Sequence, residues 1–277
     1  EKVILGGWSG GGSLSLFYQS QAENPSITET PAGDPIDLIS QNFIPADGLM
    51  LIAAHESRHR TFTEWIDGSV IDEANPENRD KDLDIYNEDN PNQPEYSEDF
   101  IQTYRASQIQ RNRKITSWVQ QKLDDYKKLG EKNREFGFVV HRTMADPKWL
   151  DTTIDPNGRK PNWCFLGQPE IVNNSPIGLG RYCSLRSWLS QWSYDLAQGD
   201  GLTCARNISI PSLVIGNSDD DGITPSHTKN LYNSIGHENK YLEWIEGANH
   251  YYFGQPEKSH ESARVCRNWL ERMQLIS

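Results

Sequence analysis

A glycine-rich turn around one serine, close to the start of the chain, limits the possible folds more than any other feature. The turn reads GWSGG over residues 7–11; the apolar run VIL at residues 3–5 precedes it, and a stretch with helical apolar spacing follows. A G-x-S-x-G pattern between a strand and a helix is typical of a serine held on a strained bend, with its hydroxyl above the sheet edge. We therefore predict a strand, a sharp turn that carries Ser9, and a helix.

The glycines of this turn have separate predicted roles. Gly7 and Gly11 occupy positions where a Cβ atom is expected to collide with the neighbouring strand or helix. The Gly10 N–H, at the N-terminus of a helix, is a candidate donor to a developing oxyanion. The alternative interpretation is a turn that only permits close packing or binds phosphate. The flanking strand and helix favour a nucleophile.

Composition excludes several classes of partner. The chain has 277 residues, of which 35% are hydrophobic and 24% charged, as expected for a globular protein with one main core and a large insertion. No stretch approaches the roughly 18 to 20 apolar residues that span a bilayer. The net charge of −12 repels phosphate backbones and anionic lipids. We therefore expect neither nucleic acid nor a membrane as a partner.

The cysteines and histidines indicate no metal site or cofactor. The four cysteines are widely spaced and form no C-x-x-C pair. Free thiols fit a reducing compartment, so we expect a cytoplasmic protein. His55 and His59 have the i, i+4 spacing of a helical metal site, but we interpret both as surface or packing residues.

Three further apolar runs extend the predicted sheet. Residues 48–54 form an unbroken apolar run, as expected for a strand covered on both faces, and we place it beside the serine strand. Residues 210–216 and 241–245 are predicted as the third and fourth strands, and a closing amphipathic helix is predicted over residues 257–273. The predicted fold class is α/β, with a mostly parallel sheet of about four strands.

About 150 residues between the second and third strands differ in character. Residues 67–95 are acidic and rich in Asn and Pro, with too little apolar content for regular packing. A helix of about thirty residues, capped by Ser97, is predicted to follow. Another helix is predicted over residues 180–192. The sequence thus predicts a large, mainly helical insertion at residues 57–206.

Ser9 has two candidate partners late in the chain. A serine is a poor nucleophile at pH 7 unless a base accepts its proton and a third group orients that base. An acidic cluster follows the third predicted strand, and His250 lies in a small-residue turn after the fourth. This Ser, Asp, His order resembles the α/β-hydrolase superfamily. The resemblance covers residues 1–56 and 207–277, and it implies that residues 57–206 are the family's variable cap.

The resemblance leaves the acid open among three neighbouring aspartates. Superfamily loops usually keep the acid a few residues from the glycine that ends the third strand and from the proline that opens the next helix. Counting from the glycine favours Asp219, and counting back from the proline favours Asp221. Asp220 is the compromise and our first choice. Glu56 is a remoter candidate, because some members carry the acid after the strand that follows the nucleophile helix.

The chain departs from the family before the serine strand. Members normally have four earlier strands, and a loop among them supplies the second oxyanion donor. Here only Gly10 is available, and the loss of one donor costs on the order of 3 kcal/mol in the transition state. The first strand would also keep an unpaired apolar edge prone to association. The sequence begins with Glu1 rather than methionine, and we expect a companion chain or an upstream segment to supply the missing strands.

The resemblance implies a serine hydrolase that cleaves an ester, thioester or amide through an acyl-enzyme. Ser9 would attack, His250 would transfer the proton, Asp220 would hold the imidazolium, and Gly10 would bind the oxyanion. Two alternatives are a carbon–carbon bond hydrolase with the same triad and a non-catalytic binding or assembly subunit. Tryptophans of the insertion suggest a small-molecule substrate with a bulky or aromatic group: Trp149, Trp163, Trp188 and Trp192.

Overall fold

The structure is a computed structural model that describes residues 1–276. A short 3-10 helix, Pro147–Trp149, lies in the middle of the chain. The other helices and strands of the described residues are, in chain order, β1 (Ile4–Trp8), α1 (Gly11–Glu23), β2 (Gly48–Ile52), α2 (Arg58–Trp65), α3 (Glu98–Lys128), β3 (Gly137–Val139), α4 (Pro169–Asn174), β4 (Tyr182–Ser184), α5 (Leu185–Gln191), α6 (Gly201–Ala205), β5 (Ser212–Asn217), α7 (Pro225–Ser234), β6 (Lys240–Ile245) and α8 (Pro256–Arg272).

The centre of the fold is a parallel sheet. Within residues 1–276 it has four strands in the order β1-β2-β5-β6, and every neighbouring pair is parallel. The first pair is in register from Ile4 opposite Gly48 to Trp8 opposite Ile52. The predicted fold class is therefore confirmed. Because all four strands run the same way, their C-terminal ends meet along one edge of the sheet.

Helices cover both faces of this sheet. Leu49, Leu51 and Val214 pack on one face with residues of α1, α6 and α7. Leu213 and Ile215 point to the other face, where α8 packs. Successive residues of a strand face opposite sides, so a strand buried on both faces is a continuous apolar run rather than an alternating one. This is why residues 48–54 have no polar alternation.

The chain between β2 and β5 builds a second set of packed elements. The long helix α3 packs against α5, and Ser97 caps α3 as predicted, because its side chain accepts a hydrogen bond from the Phe100 N–H at 3.2 Å. The predicted helix over residues 180–192 was wrong at its start. Residues 182–184 pair with β3 as an antiparallel strand, and the helix begins only at Leu185, after the capping residue Ser184.

The described residues contain neither a membrane-spanning helix nor a disulfide bond. No helix within residues 1–276 is both long and apolar enough to cross a membrane. All four cysteines are free thiols; Cys266 is half-buried and the other three are buried.

Candidate active site

Ser9 lies at the end of β1, on the bend that leads into α1. Its φ of 52° is left-handed, a conformation that costs a non-glycine residue about 1 to 3 kcal/mol. Hydrogen bonds hold the bend in place. The Ser9 N–H donates to the Ile52 carbonyl at 3.1 Å, and the Ser9 carbonyl accepts from the N–H groups of Gly12 at 3.1 Å and His55 at 3.0 Å. The serine bend is thus attached to the end of the neighbouring strand, β2.

Two glycines allow this bend to pack closely, and one of them was not predicted. A Cβ on Gly7 would lie 2.6 Å from the Gly12 Cα, as expected for that position. The prediction for Gly11 was wrong, because a Cβ there would meet nothing within 4 Å. The crowded position is Gly12, where a Cβ would overlap the side chain of Ala54. The close approach is therefore between α1 and the chain just after β2.

His250 and Asp220 lie at the same edge of the sheet as Ser9. The His250 Nε2 is 2.9 Å from the Ser9 Oγ, and the His250 Nδ1 is 3.0 Å from each carboxylate oxygen of Asp220. His250 and Asp220 are both fully buried. The Oδ1 of Asp220 also accepts the N–H groups of Gly222 at 2.8 Å and Ile223 at 2.6 Å. These bonds fix the carboxylate, and it holds the His250 proton on Nδ1, so Nε2 faces the serine as an acceptor.

The other candidate acids are directed elsewhere. Asp219 accepts from the Ser218 hydroxyl at 2.9 Å. Asp221 accepts the backbone N–H of His250 at 3.4 Å and does not meet the imidazole. Burial, followed by repulsion from Asp220, raises the pKa of Asp221. Glu56 accepts from the Asn230 amide at 2.6 Å. Among the four candidate acids, Asp220 alone contacts the His250 ring.

Contacts between loops set the distance from the acid to the histidine. Asn217, the last residue of β5, donates its amide to the Asn249 carbonyl at 2.9 Å. The Tyr252 hydroxyl donates to the Asn217 side chain at 3.1 Å. The Trp8 indole N–H donates to the His250 carbonyl at 3.3 Å. The loops after β1, β5 and β6 are therefore joined by hydrogen bonds next to the candidate triad.

His55 is a site residue that sequence reasoning missed. It is buried, and its Nε2 lies 2.9 Å from the Ser9 Oγ, the same distance as the Nε2 of His250. It is therefore not a surface residue, and its interpretation as a packing residue leaves out the contact with Ser9. A signal was available: His55 follows β2 by three residues, and β2 had been placed beside the serine strand. Residues that leave the C-terminal ends of adjacent parallel strands lie close together.

The surroundings of His55 keep its ring neutral. Burial, followed by the nearby positive charges that His250, His227 and Arg58 carry or can acquire, lowers the pKa of His55 well below its ordinary 6.5. Glu64 acts in the opposite direction but more weakly. The ring also packs edge-on against Trp65, with 5.7 Å between the ring centroids. At neutral pH His55 is therefore an uncharged imidazole.

The backbone N–H of Gly10, the candidate oxyanion donor, is unpaired within the described residues at the start of α1. Gly10 precedes the first residue of α1, and its N–H donates to no group within residues 1–276. The Gly10 carbonyl accepts a hydrogen bond from the Arg58 guanidinium at 3.0 Å. This bond holds the peptide group that follows Gly10. A free N–H at a helix N-terminus favours negative charge. No group of three or more His, Cys, Asp or Glu side chains in the described residues could hold a metal ion.

The aromatic lining differs from the one expected. Trp188 and Trp192 pack in the core of the insertion with α3, and Trp163 is largely exposed. Trp149 is buried and donates its indole N–H to the Asp221 carbonyl at 2.9 Å. The ring of the insertion that packs on the histidine is Phe165, whose centroid lies 5.4 Å from that of His250; the Tyr251 ring is nearer, at 4.5 Å. The insertion thus reaches the site through Phe165.

Comparisons with known proteins find distant similarity to several solved structures. No protein-family model matches the sequence, and no curated protein matches it either. Similar solved structures include a Paleococcus ferrophilus monoacylglycerol lipase at 14% identity, covering 99% of this chain and 69% of that one with a TM-score of 0.42. MenH from S. aureus has 12% identity, coverage of 99% and 70%, and a TM-score of 0.40. An esterase from Rhodococcus sp. has 17% identity, coverage of 95% and 63%, and a TM-score of 0.34.

The three candidate site loops follow strands of one parallel sheet. A parallel sheet places the serine bend after its first strand, the acid loop after the third and the histidine loop after the fourth, at one edge. This is the order of the three loops along a parallel sheet that was expected from the sequence.

Proposed function

We propose that this protein is a serine hydrolase that cleaves a carboxylic ester, thioester or amide of a small molecule through an acyl-enzyme. The observation that supports it most is the chain of contacts from Ser9 to His250 to Asp220, with distances of 2.9 and 3.0 Å. A base within hydrogen-bond reach of the hydroxyl, itself oriented by a buried carboxylate, is the arrangement that activates a serine.

Acylation begins when the Ser9 hydroxyl passes its proton to the His250 Nε2 and its oxygen bonds to the substrate carbonyl carbon. The carbonyl electrons move to oxygen, and the Gly10 N–H stabilises that charge. As the tetrahedral intermediate collapses, His250 returns the proton to the leaving alcohol, thiol or amine. Water then repeats the sequence, with the Ser9 Oγ as the leaving group. Asp220 stabilises the imidazolium in both halves.

We infer that residues 57–206 act as a cap over a core of residues 1–56 and 207–277. Two contacts support this role: Phe165 packs on the His250 ring, and Trp149 hydrogen-bonds to the loop that carries the acid. Phe165 also packs against Trp65, with 5.3 Å between the centroids. Aromatic walls beside the nucleophile favour substrates with a bulky apolar or aromatic group. A series of p-nitrophenyl esters of increasing chain length measures that preference.

We propose as well that the free side of β1 pairs with a further strand, from a companion chain or from a segment upstream of residue 1. Within residues 1–276, β1 pairs with β2 alone. Large apolar side chains are exposed at Val3, which precedes β1, and at Leu14 and Tyr18 of α1, which packs against β1. An unpaired strand with apolar neighbours is a template for another strand.

A fluorophosphonate probe tests the proposed hydrolase. We expect covalent labelling of the wild-type protein and no labelling of Ser9→Ala, because the probe reacts only with an activated serine. The matched control is Ser117→Ala, an exposed serine on α3 that should leave labelling unchanged. If the intact protein or assembly is not labelled, the proposal fails and a non-catalytic binding subunit is favoured.

A further inference from the structure

The Ser9 hydroxyl has two histidine partners, although the proposed reaction uses one. The Nε2 atoms of His55 and His250 each lie 2.9 Å from the Ser9 Oγ. A hydroxyl has one proton to donate and two lone pairs that accept. The two contacts therefore cannot both be donations by the serine, and one histidine must itself donate.

Counting protons assigns the two roles. Asp220 meets His250 at Nδ1, so the ring proton of neutral His250 is on Nδ1 and its Nε2 accepts the Ser9 O–H. The serine has then used its only proton. The other contact is favourable only if the His55 Nε2–H donates to the Ser9 Oγ. The His55 Nδ1 is buried with no hydrogen-bond partner in residues 1–276, which agrees with a proton on Nε2.

We propose that His55 is a second catalytic histidine of this site, a neutral imidazole that donates its Nε2–H to the Ser9 oxygen and stabilises that oxygen whenever it carries negative charge. The inference rests on the proposed hydrolase function. In acylation, the bond stabilises the developing serinate as the proton moves to His250. In deacylation, it stabilises the same oxygen as the bond from Oγ to the acyl carbon breaks. His55 keeps its proton throughout, so the proton balance between Ser9, His250 and the leaving group is unchanged.

The environment of His55 suits a donor and not a second base. It is almost completely buried, and no carboxylate is hydrogen-bonded to its ring within the described residues. When His250 becomes an imidazolium during the reaction, two positive rings on one oxygen would repel each other, so His55 stays neutral. A neutral histidine kept uncharged by its surroundings so that it can donate a hydrogen bond has precedent in enzyme catalysis.

A pair of variants separates this role from mere packing. His55→Leu removes the donor, while His55→Gln places an amide N–H near the position of the imidazole Nε2. A hydrogen bond to a charged group corresponds to about a tenfold to hundredfold rate effect. We expect His55→Leu to lower kcat for p-nitrophenyl acetate by that factor with little change in KM, and His55→Gln to stay within about threefold of wild type. The matched control, His59→Gln, changes a buried histidine that contacts Asp200 and should also stay within about threefold.

Two outcomes overturn the role of His55. One is a folded His55→Leu variant with wild-type kcat, and the other is a folded His55→Gln variant as slow as His55→Leu. If the leucine variant does not fold, the ¹⁵N shifts of the His55 ring in the wild-type protein decide: a proton on Nε2 supports the proposal and a proton on Nδ1 overturns it. If the fluorophosphonate does not label the wild-type protein, the proposed hydrolase function is contradicted. If the wild type is labelled normally and His55→Leu has no effect on kcat, only the role of His55 is contradicted.

Discussion

At the scale of single residues, the proposed chemistry depends on where the protons of His250 and Ser9 are held. The carboxylate of Asp220 is fixed by two backbone N–H groups and keeps the His250 proton on Nδ1. That leaves the His250 Nε2 free to accept the proton of Ser9. Each group sets the protonation of the next, so removing one of them changes the whole chain of contacts.

Replacement of the three neighbouring aspartates tests the assignment of the acid. We expect Asp220→Asn to lower kcat by about 10³- to 10⁴-fold, because the amide favours the wrong imidazole tautomer. Asp219→Asn is the matched control and should change kcat by less than about threefold, since Asp219 contacts Ser218 and not the His250 ring. The measurement is steady-state hydrolysis of a p-nitrophenyl ester. Full activity of Asp220→Asn would show that the acid is another residue.

The depressed pKa of His55 predicts a loss of stability at acid pH. Below about pH 6.5 the unfolded chain takes up a proton on His55 while the folded protein does not, so the free energy of unfolding falls as the pH is lowered. One such group accounts for at most about 1.4 kcal/mol per pH unit. We expect urea unfolding at pH 7.5 and 5.5 to show a smaller loss for His55→Gln than for wild type. Equal losses would mean that His55 is protonated in the folded state. Above pH 7.5 neither state takes up this proton, which provides the baseline.

Local sequence patterns identified some of these residues and not others. Ser9 is recognisable because the glycines around it and the elements beside it are contiguous in the chain. The choice of Asp220 over Asp219 and Asp221 depends on which aspartate faces the Gly222 and Ile223 N–H groups, a property of the folded loop. His55 has no local signature, because its role arises from the pairing of β1 with β2.

At the scale of elements, the site depends on how closely α1 approaches the end of β2. The Ser9 bend accepts the His55 N–H, and Gly12 of α1 lies against Ala54. The order of β1, the turn and α1 could be predicted because strand, turn and helix signals follow one another. The three-residue strand β4 could not, since its partner β3 is distant in sequence and its own apolar pattern also suits a helix.

Two adjacent glycines of α1 provide a matched test of this close approach. We expect Gly12→Ala to destabilise the protein by about 1 to 3 kcal/mol, because the new methyl group overlaps Ala54. Gly11→Ala, with open space around its Cβ, should be neutral or stabilise the protein by up to about 1 kcal/mol through helix propensity. Chemical denaturation measures both. Equal effects of the two substitutions would mean that α1 does not approach the end of β2 as described.

At the scale of the whole molecule, the proposed nucleophile follows an edge strand of the sheet. The strand β1, which carries the proposed nucleophile, lies at one edge and pairs only with β2 within residues 1–276. The strands of the sheet could be predicted because each overlaps a short, mainly apolar segment of the sequence. The sequence does not predict which strand pairs with the outer side of β1, because the apolar pattern of a strand does not identify its neighbouring strands.

The open edge predicts self-association of the isolated chain. We expect sedimentation velocity to give species larger than a monomer at micromolar concentration, because β1 offers unpaired backbone groups beside apolar side chains. Val3→Lys, which places a charge next to this edge, should shift the distribution toward monomer. The control is Ile177→Lys, which places the same charge at an exposed apolar position in the insertion, away from β1 in the chain. A wild-type protein that is monomeric throughout would contradict the prediction.

The most direct test of the central claim is to trap the acyl-enzyme. Acid quenching during turnover of a slowly deacylating p-nitrophenyl ester, followed by proteolysis and mass spectrometry, locates the acyl group in the chain. We predict an added acyl mass on Ser9, present in the wild type and missing from Ser9→Ala. Turnover with the acyl group on another side chain, or with no acylated peptide at any time point, would contradict a mechanism in which Ser9 is the nucleophile.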